Sequence, residues 1–383
     1  MLFCGLSKFF REKLWRLAFL SYLCNINIQT AMRHLKQFIV CFLSLLATSA
    51  EAQIVVEAGN AESLLQAIEQ ANKQNADSAS ERLFVMVPNG TYDLGKRTLT
   101  AITGHRIALV GESMEGTIIV NAPDLENESI SQTATLLNRG CDTYVQDLTL
   151  KNALDYYHSG AAGRAVCWQD KGDRTIMKRV RMLSYQDTYY SNNEKGHFYF
   201  EDAEIHGTID FICGGGDAFF NHCVLVTEKR RSEGGGRDII AAPRTSDTQW
   251  GYVFSHCTIR NIDSEFLYAR GWREHPRCVW LYTKLETPEM LQPTRFEPKG
   301  MRTIQNDFYE YGTTDDEGRD ITPRSNVVTF TLNGEKNDVE TILTEQQAAK
   351  YTLKNVFPDW QPQIIVRQLE KQGGRLKRKL LKE

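Results

Sequence analysis

The fold is decided by the stretch KRVRMLSYQDTYYSNNEKGHFYFEDAEIHGTIDFICGGGDAFFNHCVLVTE at 178–228. Its short β-branched and aromatic runs are separated by Gly, Asn and Asp, which is typical of successive short strands. A weak four-residue repeat runs through and around it as DLTL, RVRM, DAEI, HCVL and HCTI, at 147–150, 179–182, 202–205, 222–225 and 256–259. The steps between successive repeats are 32, 23, 20 and 34 residues.

These steps predict a parallel β-helix, because steps in the low twenties fit one coil of three or four short strands, with loops lengthening the others. Equivalent positions would then stack about 4.8 Å apart. We expect the second position of each repeat to form an interior column and the preceding His222 and His256 to face solvent. The column comprises Leu148, Val180, Ala203, Cys223 and Cys257. The predicted fold is therefore all-β, a right-handed single-stranded parallel β-helix. An antiparallel sandwich or propeller is the alternative, but Asn-Gly and Asp-Gly hairpin turns are scarce.

Two helices are predicted at the ends of the β-rich region. Residues 61–74 carry Leu64, Leu65, Ile68 and Ala71 at helical spacing, which predicts an amphipathic helix that caps the N-terminal end. The segment TEQQAAKYTL at 344–353 predicts a short C-terminal helix. The basic residues from Arg375 to Lys382 are interpreted as a solvated tail.

Residues 32–52, MRHLKQFIVCFLSLLATSAEA, have the three parts of a signal peptide. Arg33 and Lys36 precede an apolar run, and Ala50-Glu51-Ala52 fits a small-residue cleavage site. We therefore predict that a secreted or periplasmic chain begins at Gln53 and that residues 53–383 form the β-helix domain. Residues 1–31 are interpreted as a mis-annotated upstream extension. A membrane anchor built from both apolar stretches is the alternative.

Charge and cysteine usage restrict the function further. The full chain of 383 residues has a net charge of −3, and the segment 53–383 has a net charge of −7. This balance argues against nucleic-acid binding, which needs a basic surface, although a local basic groove can still bind a polyanion. The cysteines after Gln53 show no CxxC or Cys/His metal spacing, so we interpret them as buried free thiols and expect no metal or cofactor. They are Cys141, Cys167, Cys213, Cys223, Cys257 and Cys278.

Two aspartates are the strongest candidates for chemistry. Asp187 in SYQDTYYS and Asp210 in GTIDFICGGG are 23 residues apart, which is one coil of the predicted helix. Neighbouring carboxylates do not both ionise easily, so one can serve as an acid and the other as a nucleophile or base. Arg164 lies another 23 residues upstream and could join the same row, and Arg270 could return to hold Asp210 ionised. A single aspartate in a β-turn is more often a turn residue, so spacing alone leaves both readings open.

Taken together, four segments resemble the motifs of the pectin methylesterase family, in the family's order. The resemblance extends over nearly all of the chain after Gln53. Arg164 stands where the family has a glutamine, and Gly271 stands where it has a proline. The segments are RAVCWQDKGDR at 164–174, QDTYY at 186–190, GTIDFICG at 207–214 and YARGW at 268–272.

The resemblance implies a catalytic role for four residues. Asp210 would be the nucleophile that attacks the C6 carbonyl of a methylated galacturonate and forms an aspartyl acyl-enzyme. Asp187 would protonate the departing methanol and then activate water. Gln186 would donate a hydrogen bond to the oxyanion, and Arg270 would orient Asp210 and keep it charged.

The same resemblance implies the substrate, methyl-esterified homogalacturonan, and three residues that bind it. Tyr190 and Trp272 would be platforms for sugar rings. Arg164 would either donate to the oxyanion or bind the carboxylate of a neighbouring galacturonate. We expect a monomer without stable membrane insertion and without a nucleic-acid partner. The alternatives are a pectin-backbone glycosidase or lyase, an ester hydrolase of altered specificity, and a non-catalytic pectin-binding protein.

Overall fold

The structure is a computed structural model that describes residues 53–124, 129–158, 163–231, 237–245, 248–272, 275–298 and 307–380. The predicted signal peptide, its cleavage site and the upstream extension lie outside the described residues. Among the residues that are described, no helix is long and apolar enough to span a membrane.

Short strands follow one another along most of the chain. The first thirteen are β1 (Gln53–Val55), β2 (Leu83–Val87), β3 (Gly90–Asp93), β4 (Thr100–Ile102), β5 (Ile107–Gly111), β6 (Thr117–Asn121), β7 (Leu136–Asn138), β8 (Tyr144–Asn152), β9 (Trp168–Asp170), β10 (Thr175–Leu183), β11 (Tyr189–Ser191), β12 (His197–Glu201) and β13 (Glu204–Gly207). The remaining strands are β14 (Ile209–Gly214), β15 (Asp217–Asn221), β16 (Val224–Thr227), β17 (Asp238–Pro243), β18 (Tyr252–Ser255), β19 (Thr258–Asn261), β20 (Phe266–Arg270), β21 (Arg277–Leu281), β22 (Lys284–Leu285), β23 (Phe296–Glu297), β24 (Asp307–Tyr311), β25 (Val327–Leu332) and β26 (Glu335–Glu340).

Helices are confined to the two ends and one short turn. They are α1 (Ala61–Gln74), a 3₁₀ turn (Pro288–Met290), α2 (Glu345–Ala348), α3 (Leu353–Val356) and α4 (Pro362–Leu380).

The strands from β1 to β24 pair in parallel and build three faces of one coil. The first face has the order β1-β2-β5-β8-β10-β12-β15-β18-β21-β24. The second face contains β3, β6, β13, β16, β19 and β22 and shares the long strands β8 and β10 with the first. The third face is a separate sheet in the order β4-β7-β9-β11-β14-β17-β20-β23. Each complete coil adds one strand to each face, as β12, β13 and β14 do, so the predicted parallel β-helix is confirmed.

The repeat found in the sequence marks the corner between the first and second faces. Its first position has a left-handed backbone in every case, with φ between +48° and +55° from Asp147 to His256. Such φ values are uncommon outside glycine, so their recurrence identifies one turn geometry that is reused from coil to coil. The second positions are all fully buried, which confirms the interior column. His222 and His256 are exposed as predicted, and their rings stack 5.1 Å apart.

An aromatic stack runs through the interior beneath the first face. The ring centroids of Phe200, Phe220 and Phe254 follow one another at 4.4 Å, and Trp280 lies 3.9 Å beyond Phe254. Each aromatic pair contributes about 0.5–1.5 kcal/mol beyond its burial. The stack therefore fixes the spacing of the coils that also carry β14, β17 and β20 on the third face.

The N-terminal helix agrees with its prediction, since α1 has the bounds 61–74. The side chain of Asn60 caps it by accepting a hydrogen bond from the Ser63 N–H at 3.1 Å. Leu64 and Ile68 are buried in the main core, where the helix packs against β2. The antiparallel pair β25 and β26 adds Val328 and Phe330 to the same core.

The predictions for the C-terminal end were partly wrong. The segment 344–353 contains the single-turn helix α2 and only the start of α3, separated by a break before the Thr352 cap. The supposed solvated tail contains the last turns of the 19-residue helix α4. Val366, Leu369 and Leu376 bury one side of α4 against the first face. Its Lys377 Nζ lies 2.5 Å from Asp147 Oδ2. Gly373-Gly374 and the basic residues obscured this amphipathic pattern in the sequence.

The six cysteines after Gln53 are unpaired thiols. Cys141 is half-buried and the other five are buried. Cys223 and Cys257 are in the interior column, as the repeat predicts.

Candidate active site

Asp187 and Asp210 lie side by side at the start of neighbouring strands of the third face. Tyr190 in β11 pairs with Cys213 in β14, and the same 23-residue offset relates the two aspartates. The Asp187 N–H donates to the Ile209 carbonyl at 3.2 Å. Both aspartates have left-handed backbones, with φ of +60° and +53°, and are only 4% and 5% exposed. The structure thus brings together the two carboxylates that the sequence singled out.

A β-bulge sets the direction of Asp210. Between Ile209 and Ile212 the register of β14 against β17 shifts, so that Asp210 and Phe211 lie opposite one residue of β17. A bulge of this kind redirects a side chain at the edge of a regular ladder. Phe211 packs in the interior, and the Asp210 carboxylate meets Arg270 on the outer side.

Arg270 reaches Asp210 across an intervening strand. It ends β20, and β17 lies between β20 and β14 with the small residues Ala241 and Ala242 at this level. Its Nε donates to Asp210 Oδ1 at 2.7 Å, and a terminal guanidinium nitrogen donates to Oδ2. Burial disfavours the charge of Arg270, but these bonds and the Asp210 charge outweigh it and raise its pKa. Such a bidentate pair holds the carboxylate in a fixed orientation.

Asp187 lies in an environment that keeps a proton on its carboxyl group. Burial raises its pKa well above the usual range, and the charge of Asp210 raises it further. The charges of Arg164 and Arg270 and a contact from the Cys213 thiol, 3.8 Å from Oδ1, act in the opposite direction. The two carboxyl groups are therefore divided into one that bears a proton and one bound to a cation.

Arg164 is not part of the predicted three-residue row. It forms a parallel bridge with Gln186, one residue before Asp187, and the Ala165 N–H donates to the Gln186 carbonyl at 2.9 Å. The offset between β9 and β11 is 21 residues, as Trp168 pairs with Tyr189, so the 23-residue spacing does not extend to this coil. Arg164 instead lies beside the dyad, with its Nε 3.8 Å from Asp187 Oδ2 and its side chain 40% exposed. Gln186 is half-buried next to it.

Tyr190 and Trp272 lie together beside the dyad. Their ring centroids are 5.9 Å apart at an interplanar angle of 56°. Tyr190 is nearly covered by Ala134, Val166 and Cys213, whereas Trp272 is half-buried. The Trp272 N–H donates to the Pro243 carbonyl at 3.1 Å, which fixes the indole at the end of β17.

Sequence reasoning missed two charged residues at this end of the site. Arg244 follows β17, and one of its terminal nitrogens lies 2.5 Å from Glu194 Oε1. Its guanidinium carbon lies 5.3 Å from the centre of the Trp272 ring. Glu194 is in a polar loop 50 residues earlier, and neither residue belongs to a recognisable motif, so only the folded chain relates them.

Comparison with known proteins identifies the family. A profile of the family described as Pectinesterase matches residues 53–358. The chain belongs to the pectinesterase family. Among its relatives, Probable pectinesterase 50 of Arabidopsis thaliana is 26% identical over 302 residues, covering 78% of this chain and 80% of the relative. Pectinesterase A of Dickeya chrysanthemi is 28% identical over 330 residues, covering 76% and 86%.

Solved structures confirm the fold of this pectinesterase. The pectin methylesterase from carrot superposes with a TM-score of 0.64 at 19% identity, covering 81% of this chain and 94% of the carrot chain. A pectin methylesterase in complex with a hexasaccharide gives a TM-score of 0.63 at 23% identity, with coverages of 82% and 99%. At these identities the likeness shows the shared fold alone.

Proposed function

We propose that this pectinesterase, a carboxylic ester hydrolase, removes methyl esters from polygalacturonate to give pectate and methanol. The observation that carries the mechanism is the division of labour between two adjacent buried carboxyl groups. Asp210 is held by Arg270, and the pKa of Asp187 is raised so that it keeps its proton.

In the first half-reaction an Asp210 oxygen attacks the C6 carbonyl carbon of a methylated galacturonate. The carbonyl oxygen gains negative charge, and Gln186, half-buried beside Asp187, donates a hydrogen bond to it, with the exposed Arg164 adjacent. When the C–O bond to methanol breaks, Asp187 delivers its proton to the leaving oxygen. The products are methanol and an anhydride between Asp210 and the galacturonate.

In the second half-reaction water takes the place of methanol. Asp187, now deprotonated, accepts a proton from the water as the water attacks the same carbon. The anhydride opens to release the galacturonate carboxylate and to regenerate Asp210. Arg270 holds the Asp210 oxygens in place in both steps through its two hydrogen bonds.

The reaction is tested by what the enzyme releases from highly methylated pectin. We expect methanol and new carboxylate groups in equal amounts, with no increase in reducing ends. Cleavage of the backbone would give reducing ends or unsaturated ends without methanol. That result would overturn the proposal in favour of the glycosidase or lyase alternative.

We also propose that the enzyme is exported and that the mature chain begins at Gln53. The family match begins at the same residue, and Gln53 already pairs with Phe84 in the first face. N-terminal sequencing of secreted protein tests this. A mature N-terminus upstream of Met32 would contradict it.

Arg164 is expected to set the alkaline limit of activity. Replacing it with glutamine removes a positive charge that lowers the pKa of Asp187, so Asp187 should hold its proton to higher pH. The alkaline limb of the kcat/KM profile should therefore shift upward, while the maximal kcat changes by less than about tenfold. Initial rates of methanol release across the pH range measure both.

The variant Arg164→Met separates charge from hydrogen bonding. It also lacks the charge, so it should share the shifted limb, but it cannot donate to the oxyanion. A lower kcat for the methionine variant than for the glutamine variant would identify Arg164 as a donor. An unshifted limb in both variants would contradict the electrostatic role.

A further inference from the structure

An ion pair that the proposed reaction does not use lies at the edge of the aromatic platform. Arg244 and Glu194 are paired at 2.5 Å, and the Arg244 guanidinium stacks over Trp272. Arg244 is anchored by its backbone, since its N–H donates to the Gly214 carbonyl at 2.6 Å. The pair therefore has a fixed place next to β14, the strand that carries Asp210.

The electrostatics of Tyr190 place this pair at the same subsite as the ring platform. Burial raises the pKa of Tyr190 to about 12, the charge of Arg244 lowers it, and Glu194 and Asp187 are among the groups that raise it. Tyr190 thus lies between the dyad and the ion pair. A sugar that rests on Tyr190 and Trp272 would come within reach of Arg244.

The guanidinium of Arg244 is not saturated by the groups around it. Its Nε is buried and has no hydrogen-bond partner among the described residues. Its side chain is 21% exposed and that of Glu194 is 27% exposed, so water reaches the pair. Ion pairs with such access contribute only about 0–1 kcal/mol. A second carboxylate could therefore replace Glu194 at little cost.

The backbone under Glu194 is shaped to let its carboxylate lie close to the sheet. A Cβ on Gly215 would be 2.3 Å from Glu194 Oε2 and 2.9 Å from the Arg244 carbonyl oxygen. Only glycine at position 215 permits this approach without a shift. The arrangement holds Glu194 against the groove floor, where it occupies the guanidinium while no substrate is bound.

We propose that Arg244 binds the carboxylate of an unesterified galacturonate residue next to Trp272, and that Glu194 is the internal carboxylate which the substrate displaces. The proposal rests on the proposed pectinesterase function and deepens it. A guanidinium recognises a carboxylate through charge and paired hydrogen bonds, whereas a methyl ester brings no charge. Arg244 would thus favour galacturonan whose neighbouring residues are already demethylated.

Two substitutions are expected to move selectivity in opposite directions. Arg244→Gln should lower the ratio of kcat/KM for sparsely methylated pectin to that for highly methylated pectin by about tenfold, the loss of one charge-assisted hydrogen bond. It should also weaken inhibition by fully demethylated polygalacturonate. Glu194→Gln removes the internal competitor, so it should tighten that inhibition by several-fold.

Calorimetric binding of polygalacturonate, which needs no turnover, separates this proposal from the function beneath it. If the wild-type enzyme released no methanol from any pectin, the proposed function would fail, whatever the binding data. If methanol is released but both variants bind polygalacturonate as the wild type does, the assignment of Arg244 fails.

A merely structural pair is distinguished by a matched control. Arg260 and Glu286 form an exposed ion pair between β19 and the residue after β22, with two contacts of 3.0 Å. Arg260→Gln should change neither the selectivity ratio nor the inhibition. If Arg244→Gln and Glu194→Gln both lower Tm and reduce kcat/KM equally on all pectins, the pair only supports Trp272 and the proposal is overturned.

Discussion

Replacing Asp210 with asparagine is expected to lower kcat for methanol release by about 10⁴-fold or more, the effect of removing a nucleophile. The asparagine amide keeps the shape of the side chain but cannot form the anhydride. KM should change little, because Asp210 attacks the substrate and its two oxygens are already bound by Arg270. Initial rates on highly methylated pectin measure both constants. Methanol release close to that of the wild type would contradict the mechanism.

The same substitution should also destabilise the fold, because Arg270 is largely buried and loses its counter-ion. We expect a loss of about 1–3 kcal/mol, less than for a fully buried pair since Asp187 is near enough to compensate. Glu310→Gln is the matched control. It breaks another buried pair, in which Arg295 Nε lies 2.9 Å from Glu310 Oε1, far from the dyad in sequence and on a different face. That variant should lose stability but keep its kcat within about twofold.

The fold was predictable because the repeat reports a single structural constraint. Each coil needs one buried residue after the corner, and Leu148, Val180 and Cys223 satisfy it with different side chains. The left-handed corner itself could not be read, because aspartate, arginine and histidine all occupy it. Helix α4 was missed for a different reason: its apolar side becomes visible only against the first face, on which it packs.

The site was predictable only where neighbouring coils have equal length. Asp187 and Asp210 are separated by one coil without insertion, so their spacing placed them correctly. Arg164 was misplaced by one residue because the preceding coil is shorter, and a single residue changes the side of the strand. Arg244 and Glu194 meet through side chains from loops, which no periodicity describes.

Replacing Asp187 with asparagine is expected to lower kcat by about 10²–10⁴-fold, the usual contribution of a general acid. Without its proton the departing group must leave as methoxide, a very poor leaving group. Esters with a better leaving group, such as trifluoroethyl galacturonate esters, should therefore restore much of the lost rate in Asp187→Asn. The same esters should not rescue Asp210→Asn, which lacks the nucleophile. Equal rescue of both variants would contradict the assignment of acid and nucleophile.

The stability of Asp187→Asn should change in the opposite sense to that of Asp210→Asn. Burial and the Asp210 charge raise the pKa of Asp187 in the folded protein. The folded state therefore holds this proton more tightly than the unfolded chain, whose aspartate pKa is about 3.9. As pH rises above that value, the unfolded state loses its proton first, and the wild type loses stability until Asp187 itself ionises. Asparagine does not titrate, so the variant escapes this loss. Its Tm should exceed that of the wild type at neutral pH, and the difference should shrink as the pH falls toward 4. A lower Tm for Asp187→Asn at neutral pH would show that Asp187 stabilises the site as an anion, and it could not then be the proton donor.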